Sequence, residues 1–183
     1  MSEIEELKRV YEAHVRSRWD PSLAGPQRTW FVIYDPSQER RLRLHLSDFE
    51  SATKNSGHRW KPIDLTDTFA NWMASQEYRE SYFEQPELLD LALSDFTDHV
   101  VNLVVQSLSA SDVDGNTVVA IMGTASLYGL TRVSIIMERV ATSIQGRLLV
   151  FFPGKHEGHN YRLLDARDGW NYLALPISAD DAK

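Results

Sequence analysis

The sequence predicts an α/β fold, and three observations support that class. Short apolar runs rich in β-branched and aromatic residues alternate with amphipathic segments at helical spacing. The apolar runs are continuous, which is typical of strands buried on both faces, and turn residues separate them. Strands that alternate with helices form βαβ units. We therefore expect a mostly parallel sheet flanked by helices, in a Rossmann-like three-layer arrangement.

The first half of the chain contains two predicted strands, over residues 30–34 and 60–65. Apolar residues at helical spacing predict an amphipathic helix over 3–17. A second helix is predicted from Asp35 to Gly57, because an aspartate followed by proline is typical of a helix start.

The second half of the chain repeats this alternation, and glycine or proline marks most of the boundaries. A helix is predicted to begin at Thr66 or Asp67 and to be interrupted by Pro86, and another to run from Leu89 to the turn at 111–116. The elements predicted after that turn are a strand over 118–122, a helix from Thr131 to Gly146, and strands over 148–152 and 172–177.

Composition favours one globular domain over residues 1–183. Hydrophobic residues make up 43% of the chain and charged residues 25%, as in ordinary globular proteins. The chain has no cysteine, which excludes thiolate metal sites and favours a reducing compartment. Its beginning is charged and helix-like, and no apolar run approaches the ~20 residues that span a bilayer. These features predict a cytoplasmic protein with no membrane contact.

Charge is distributed unevenly along the chain, whose net charge is -7. Residues 77–98 hold seven acids against one base, whereas residues 39–61 hold six bases against three acids. Solvated helix faces explain both stretches, and a surface that steers a charged protein partner is the alternative. The overall negative charge argues against direct DNA binding, which needs a cationic footprint.

The turn GTASLYG, which follows the predicted strand 118–122, is the first candidate ligand site. Such a turn can bind an anion through backbone amides, and its candidate residues are Gly123, Thr124 and Ser126. It lacks the lysine of a P-loop, and the dinucleotide fingerprint G-x-G-x-x-G is absent. We favour a simple strand–helix turn, with a degenerate phosphate-like pocket as the alternative.

The stretch FFPGKHEGH contributes two further candidates, Gly154 and His156. His156 and His159 could share a metal on a helix, but the flanking glycines favour a solvated loop instead. No zinc-protease, nucleophile-elbow or cysteine-nucleophile pattern occurs in the chain. The residues therefore predict no catalytic site, no metal and no cofactor.

Four residues are candidate contacts for a protein partner. Trp170 and Tyr172 lie beside the turn at 167–169 and suit an interface anchor, although we favour plain packing for both. Glu80 and Glu84 lie in the acidic stretch.

Four segments together resemble the BrxB family of bacterial BREX phage-defence systems. They are WFVIYDPSQERRLR, DLTDTFANWMASQEYRESYF, GRLLVFFPG and NYRLLDARDGWNYLALPI. The similarity covers residues 28–177, leaving an N-terminal helix and loop over 1–27 and a tail over 178–183. The resemblance implies a non-catalytic adaptor that binds PglZ, a protein of the alkaline-phosphatase superfamily. The BREX ATPase and methyltransferase are the further partners it implies.

Two functions are therefore carried forward. The first is the non-catalytic BREX adaptor. The alternative is a nucleotide- or small-ligand-binding enzyme that uses the loops at the carboxyl ends of the strands, where open parallel sheets bind ligands.

Overall fold

The computed structural model describes residues 1–182 and shows a mixed seven-stranded sheet packed against seven α-helices. The helices are α1 (Glu3–Arg16), α2 (Glu39–Leu44), α3 (Leu46–Asn55), α4 (Thr68–Ser75), α5 (Arg79–Glu84), α6 (Leu89–Leu108) and α7 (Val133–Val140). The strands are β1 (Thr29–Tyr34), β2 (Arg59–Asp64), β3 (Thr117–Met122), β4 (Arg147–Glu157), β5 (Asn160–Leu163), β6 (Trp170–Asn171) and β7 (Leu175–Ile177).

The centre of the sheet is parallel, in the order β2-β3-β4-β1-β7. The predicted α/β class is confirmed, and so is the mostly parallel centre. The far end of β4 leaves this ladder and pairs antiparallel with β5, which in turn pairs with β6. The sheet is therefore mixed at one corner, where we expected a solvated loop.

Strands β1 and β3, which flank the central strand β4, are buried along their whole length, because helices cover both faces of the sheet. Successive residues point to opposite faces, so Phe31 packs in one core and Val32 in the other. The first core includes α4, α6 and α7, and the second includes α1 and α3. Full burial of a side chain such as Phe96 stabilises the fold by about 2–3 kcal/mol.

The predicted helix over 35–57 is interrupted. Asp35 does cap a helical turn, since its carboxylate accepts from the Ser37 amide at 2.8 Å, but that turn is a short 3-10 turn. The chain then leaves helical geometry at His45, between α2 and α3. The break separates α2, which reaches the carboxyl edge of the sheet, from α3, which buries Phe49.

The predicted loop around His156 is the second difference. β4 continues to Glu157, and a two-residue turn returns the chain into β5. Gly158 has a φ of +58°, which its missing Cβ permits at low cost. His159 therefore lies in the hairpin turn, and His156 lies on β4 two residues before the turn.

The two ends of the chain lie close together. The predicted helix over residues 3–17 corresponds to α1, and a 3-10 turn at Ala179–Ala182 packs against it. The predicted tail ends at Lys183, which lies outside the described residues. Among residues 1–182, no helix has both the length and the apolar character needed to cross a membrane.

Candidate functional site

The most exposed apolar side chains of the molecule include several in residues 77–91, which we call the acidic segment. It consists of α5, the 3-10 turn Pro86–Leu88 and the first residues of α6. None of its residues is buried, and only Tyr82 and Leu89 pack partly against the core. Tyr78, Phe83 and Leu91 are 63%, 67% and 83% exposed. Exposed apolar clusters of this kind are typical of interaction sites.

Local sequence explains why this segment projects from the fold. Pro86 has no amide hydrogen and disfavours helix at the residue before it, so α5 ends at Glu84 after six residues. α5 also has no side-chain cap at Tyr78. A helix this short cannot present a full apolar stripe to the core, which leaves its large side chains in solvent.

The acidic segment also carries uncompensated negative charge. Its five acids are Glu77, Glu80, Glu84, Glu87 and Asp90. None of them forms an ion pair with any residue in the range 1–182. The single base, Arg79, donates instead to the carbonyls of Ala74 and Gln76, at 3.3 and 3.4 Å. The segment therefore offers apolar side chains within a negative field, which suits a basic partner surface.

The four predicted partner contacts fall in different environments. Glu80 and Glu84 are exposed on α5. Trp170 is half-buried, and its ring packs 5.8 Å from that of Phe31. Tyr172 is buried and donates to the Met137 carbonyl at 3.1 Å. Because Tyr172 is only 7% exposed, its ring has almost no surface that could contact a partner.

The turn after β3 places Gly123, Thr124 and Ser126 together, and the two hydroxyls among them are bonded to protein acceptors. The buried Thr124 hydroxyl donates to the Phe151 carbonyl at 2.9 Å. Ser126 donates to the carbonyls of Leu65 and Gly123, at 3.0 and 2.6 Å. These hydroxyls hold the turn against its neighbours and direct no donor toward a ligand.

Gly154 and His156 lie on the extension of β4, away from that turn. A Cβ at Gly154 would lie 2.1 Å from the Arg162 carbonyl oxygen, so the glycine serves close strand approach. The His156 ring bonds through Nδ1 to the Gly158 carbonyl, and His159 bonds similarly to the Ala174 carbonyl. Within residues 1–182, no group of three or more His, Asp or Glu is placed to hold a metal.

A hydrogen-bonded cluster at the carboxyl edge was not predicted from the sequence. Arg43 donates to Glu39, Asp64 and Thr66, at 2.8, 3.1 and 2.7 Å. Tyr34 donates to the second Glu39 oxygen, and Thr66 donates to Asp64 at 2.6 Å. The i,i+4 spacing of Glu39 and Arg43 is the one sequence signal that pointed to part of this cluster.

Burial, hydrogen bonds and neighbouring charges shift the pKa values of Asp64 and Tyr34 in this cluster. Partial burial raises the pKa of Asp64, but hydrogen bonds from Thr66 and Arg43 outweigh it, so the net pKa is lowered. Burial first, and then the bond to Glu39, raise the pKa of Tyr34 far above its ordinary value. Both groups therefore hold their charge states at neutral pH. The cluster acts as a clamp between α2 and the ends of β1 and β2.

A cleft of about 460 Å³ opens between the loop after β3 and the turn before β6. Its walls include Arg132, Arg167 and Trp170, with Tyr128 at the rim. The two guanidiniums favour an anionic group, whereas Asp168, which also lines the cleft, disfavours one. This cleft is the place in the fold that best fits the ligand-binding alternative.

No protein-family profile, curated protein or solved structure matches this chain.

Proposed function

We propose that the protein is a non-catalytic adaptor of a BREX phage-defence assembly in the cytoplasm, where it binds a PglZ-like protein of the alkaline-phosphatase superfamily. The ATPase and methyltransferase of the same assembly are further partners in this proposal. The acidic segment is the observation that carries it, because exposed apolar side chains there lie among unpaired carboxylates. The BrxB-like segments supply the identity of the partner.

The proposed contact combines two physical contributions. Burial of Phe83 and Leu91 against an apolar patch would supply affinity, since a few buried anchors dominate most interfaces. The carboxylates of Glu80 and Glu84 would speed association with a basic rim around that patch. The partner surface should therefore carry lysines or arginines around an apolar depression.

Co-expression with the PglZ-like protein tests this proposal. Size-exclusion chromatography should show co-elution at micromolar concentrations, and separate elution there would count against it. Leu91→Ser should weaken the complex tenfold or more in a titration. Leu44→Ser is the matched control, because Leu44 on α2 is 81% exposed and Leu91 is 83% exposed.

A charge variant distinguishes electrostatic steering of the partner from burial of apolar side chains in the interface. Glu80→Lys combined with Glu84→Lys should slow association and remove most of its salt dependence, whereas Leu91→Ser should mainly speed dissociation. Equal effects of Leu91→Ser and Leu44→Ser would contradict a role for the acidic segment.

We also propose that the core is a Rossmann-like three-layer variant. The parallel centre with helices on both faces supports it. The strand order differs from the usual 3-2-1-4-5-6, because the chain passes from β1 directly to the far edge strand β2.

The alternative function is small-ligand or nucleotide binding, and the cleft beside Trp170 favours it. A panel of ATP, GTP and divalent metals separates it from the adaptor function. A ligand-dependent rise in Tm that is lost in Arg132→Met would favour ligand binding.

A further inference from the structure

Two arginines lie side by side at the amino edge of the sheet. Thr29 of β1 pairs with Leu148 of β4, and Arg28 and Arg147 immediately precede these residues. We call Arg28 and Arg147 the arginine pair. Alternation along β4 places Arg147 on the face that carries Trp30, and Arg28 lies close enough for the two charges to interact.

Arg147 is buried without an ionic partner. It is 5% exposed, and its Nη1 donates to the Gly146 carbonyl at 3.1 Å. A guanidinium has five N–H donors, so most of its capacity is unused. Its Cζ lies 4.9 Å from the centre of the Trp19 ring and 5.8 Å from that of Trp30. These cation–π contacts compensate the charge only in part.

Arg28 and Trp19 each leave a buried donor unused. Arg28 donates from Nη1 to the Gln145 carbonyl at 2.8 Å, while its buried Nε has no partner. The buried Nε1 of Trp19 also has no partner, and the Trp19 ring stacks on His58 at 3.7 Å. Buried donors without acceptors are uncommon, and each costs free energy.

No carboxylate compensates the arginine pair. Across residues 1–182, neither guanidinium lies within ion-pair distance of Asp or Glu. Burial lowers the pKa of Arg147, and the charge of Arg28 lowers it further, whereas the charge of Asp20 acts in the opposite direction without outweighing them. A buried charge without a counter-charge destabilises the fold, so this arrangement favours the arrival of an anion.

We propose that the arginine pair and the Trp19 indole N–H form a binding site for a phosphate-type oxyanion, either free or as the monoester of a small molecule. Two guanidiniums and an indole offer donors from several directions, which suits a tetrahedral acceptor with three or more oxygens. Arg28 and Trp19 are half-buried, so the cluster reaches the surface. This site is independent of the adaptor function.

Inorganic phosphate and AMP are the probes, added to protein equilibrated in chloride buffer. Either probe should change the intrinsic tryptophan fluorescence saturably, and should raise Tm by roughly 5 °C or more at a hundredfold excess over Kd. Sodium chloride at matched ionic strength should do neither. Trp19→Phe should remove most of the fluorescence change, because Trp19 lies nearest to Arg147. A stronger response to AMP would identify a monoester as the ligand, and an equal response would identify the free anion.

Two variants separate this site from general attraction of anions. Arg147→Met keeps a long apolar side chain and should abolish the response to phosphate. Arg59→Met is the matched control, because Arg59 begins β2 at the same edge but is exposed and paired with Asp114 at 3.3 Å. The control should retain the response. A wild-type protein that responds to neither probe, or an equal loss in both variants, would overturn the proposal.

Discussion

Arg43 and Arg147 lie at opposite ends of the same parallel sheet and have opposite electrostatic surroundings. Arg43 at the carboxyl edge contacts two carboxylates and a hydroxyl. Arg147 at the amino edge contacts a carbonyl and two indole rings, with a second arginine nearby. The residue type is the same, but only Arg43 has its charge compensated within the described part of the chain.

This contrast distinguishes side chains whose polar groups are already bonded within the protein from side chains whose donors remain available to a ligand. Open parallel sheets usually bind ligands at their carboxyl edge. In this chain the hydroxyls of Thr124 and Ser126 in the turn at that edge are already bonded to protein acceptors. The unused donors lie at the amino edge instead, on Arg28 and Trp19.

The close packing of the Gly123 turn predicts the largest effect among these variants. Gly123→Ala should lower the free energy of unfolding by about 2–4 kcal/mol, because φ is +77° and a Cβ would lie 2.6 Å from Thr66 Oγ1. Gly129→Ala is the matched control, since Gly129 has a φ of +78° but no heavy atom within 4 Å of a Cβ. It should cost about 1–2 kcal/mol. Equal losses in urea denaturation would show that the clamp yields to the added methyl group.

Replacement of Arg43 and replacement of Arg147 by methionine should have opposite effects on the stability of the protein. Arg43→Met leaves Glu39 and Asp64 without their shared cation, so the free energy of unfolding should fall by about 1 kcal/mol. Arg147→Met removes a buried, uncompensated charge, so in phosphate-free buffer stability should stay level or rise by about 1 kcal/mol.

Denaturant unfolding of both variants in chloride buffer measures this difference. A loss of 2 kcal/mol or more in Arg147→Met would show that its stacking on Trp19 stabilises the fold more than its unpaired charge destabilises it. Added phosphate should reverse the order of wild type and Arg147→Met, because only the wild type gains from the anion.

The buried centre of the sheet could be predicted from local sequence. The continuous apolar runs at 30–34 and 118–122 match β1 and β3 to within one residue at each end, because strands buried on both faces need no polar alternation. The far end of β4 was missed because its Lys155, His156 and Glu157 are polar, and its pairing with β5 depends on a turn at Gly158.

The candidate sites could be predicted only in part. Charge counting identified the acidic stretch, but the exposure of Phe83 depends on how α5 ends and where it lies on the fold. Nothing local marks Arg147 as buried, since its aromatic neighbours Trp19 and Trp30 lie more than a hundred residues earlier in the chain. Such long-range juxtapositions arise from tertiary packing, which local patterns do not encode.

The smallest expected effect is a pH dependence at the carboxyl edge. The pKa of Asp64 is lower in the folded protein than its ordinary value, so its stabilising contribution is present above the unfolded pKa of about 3.9 and is lost as pH falls through the folded value. Asp64→Asn should therefore flatten the fall in Tm below about pH 4. Asp48→Asn is the control, because Asp48 pairs with His45 outside the clamp. Equal flattening in both variants would show that surface carboxylates in general cause the fall in Tm at low pH. Flattening only in Asp64→Asn would show that paired charges stabilise the carboxyl edge of the sheet. The arginine pair at the amino edge would then be the end of the sheet without such compensation.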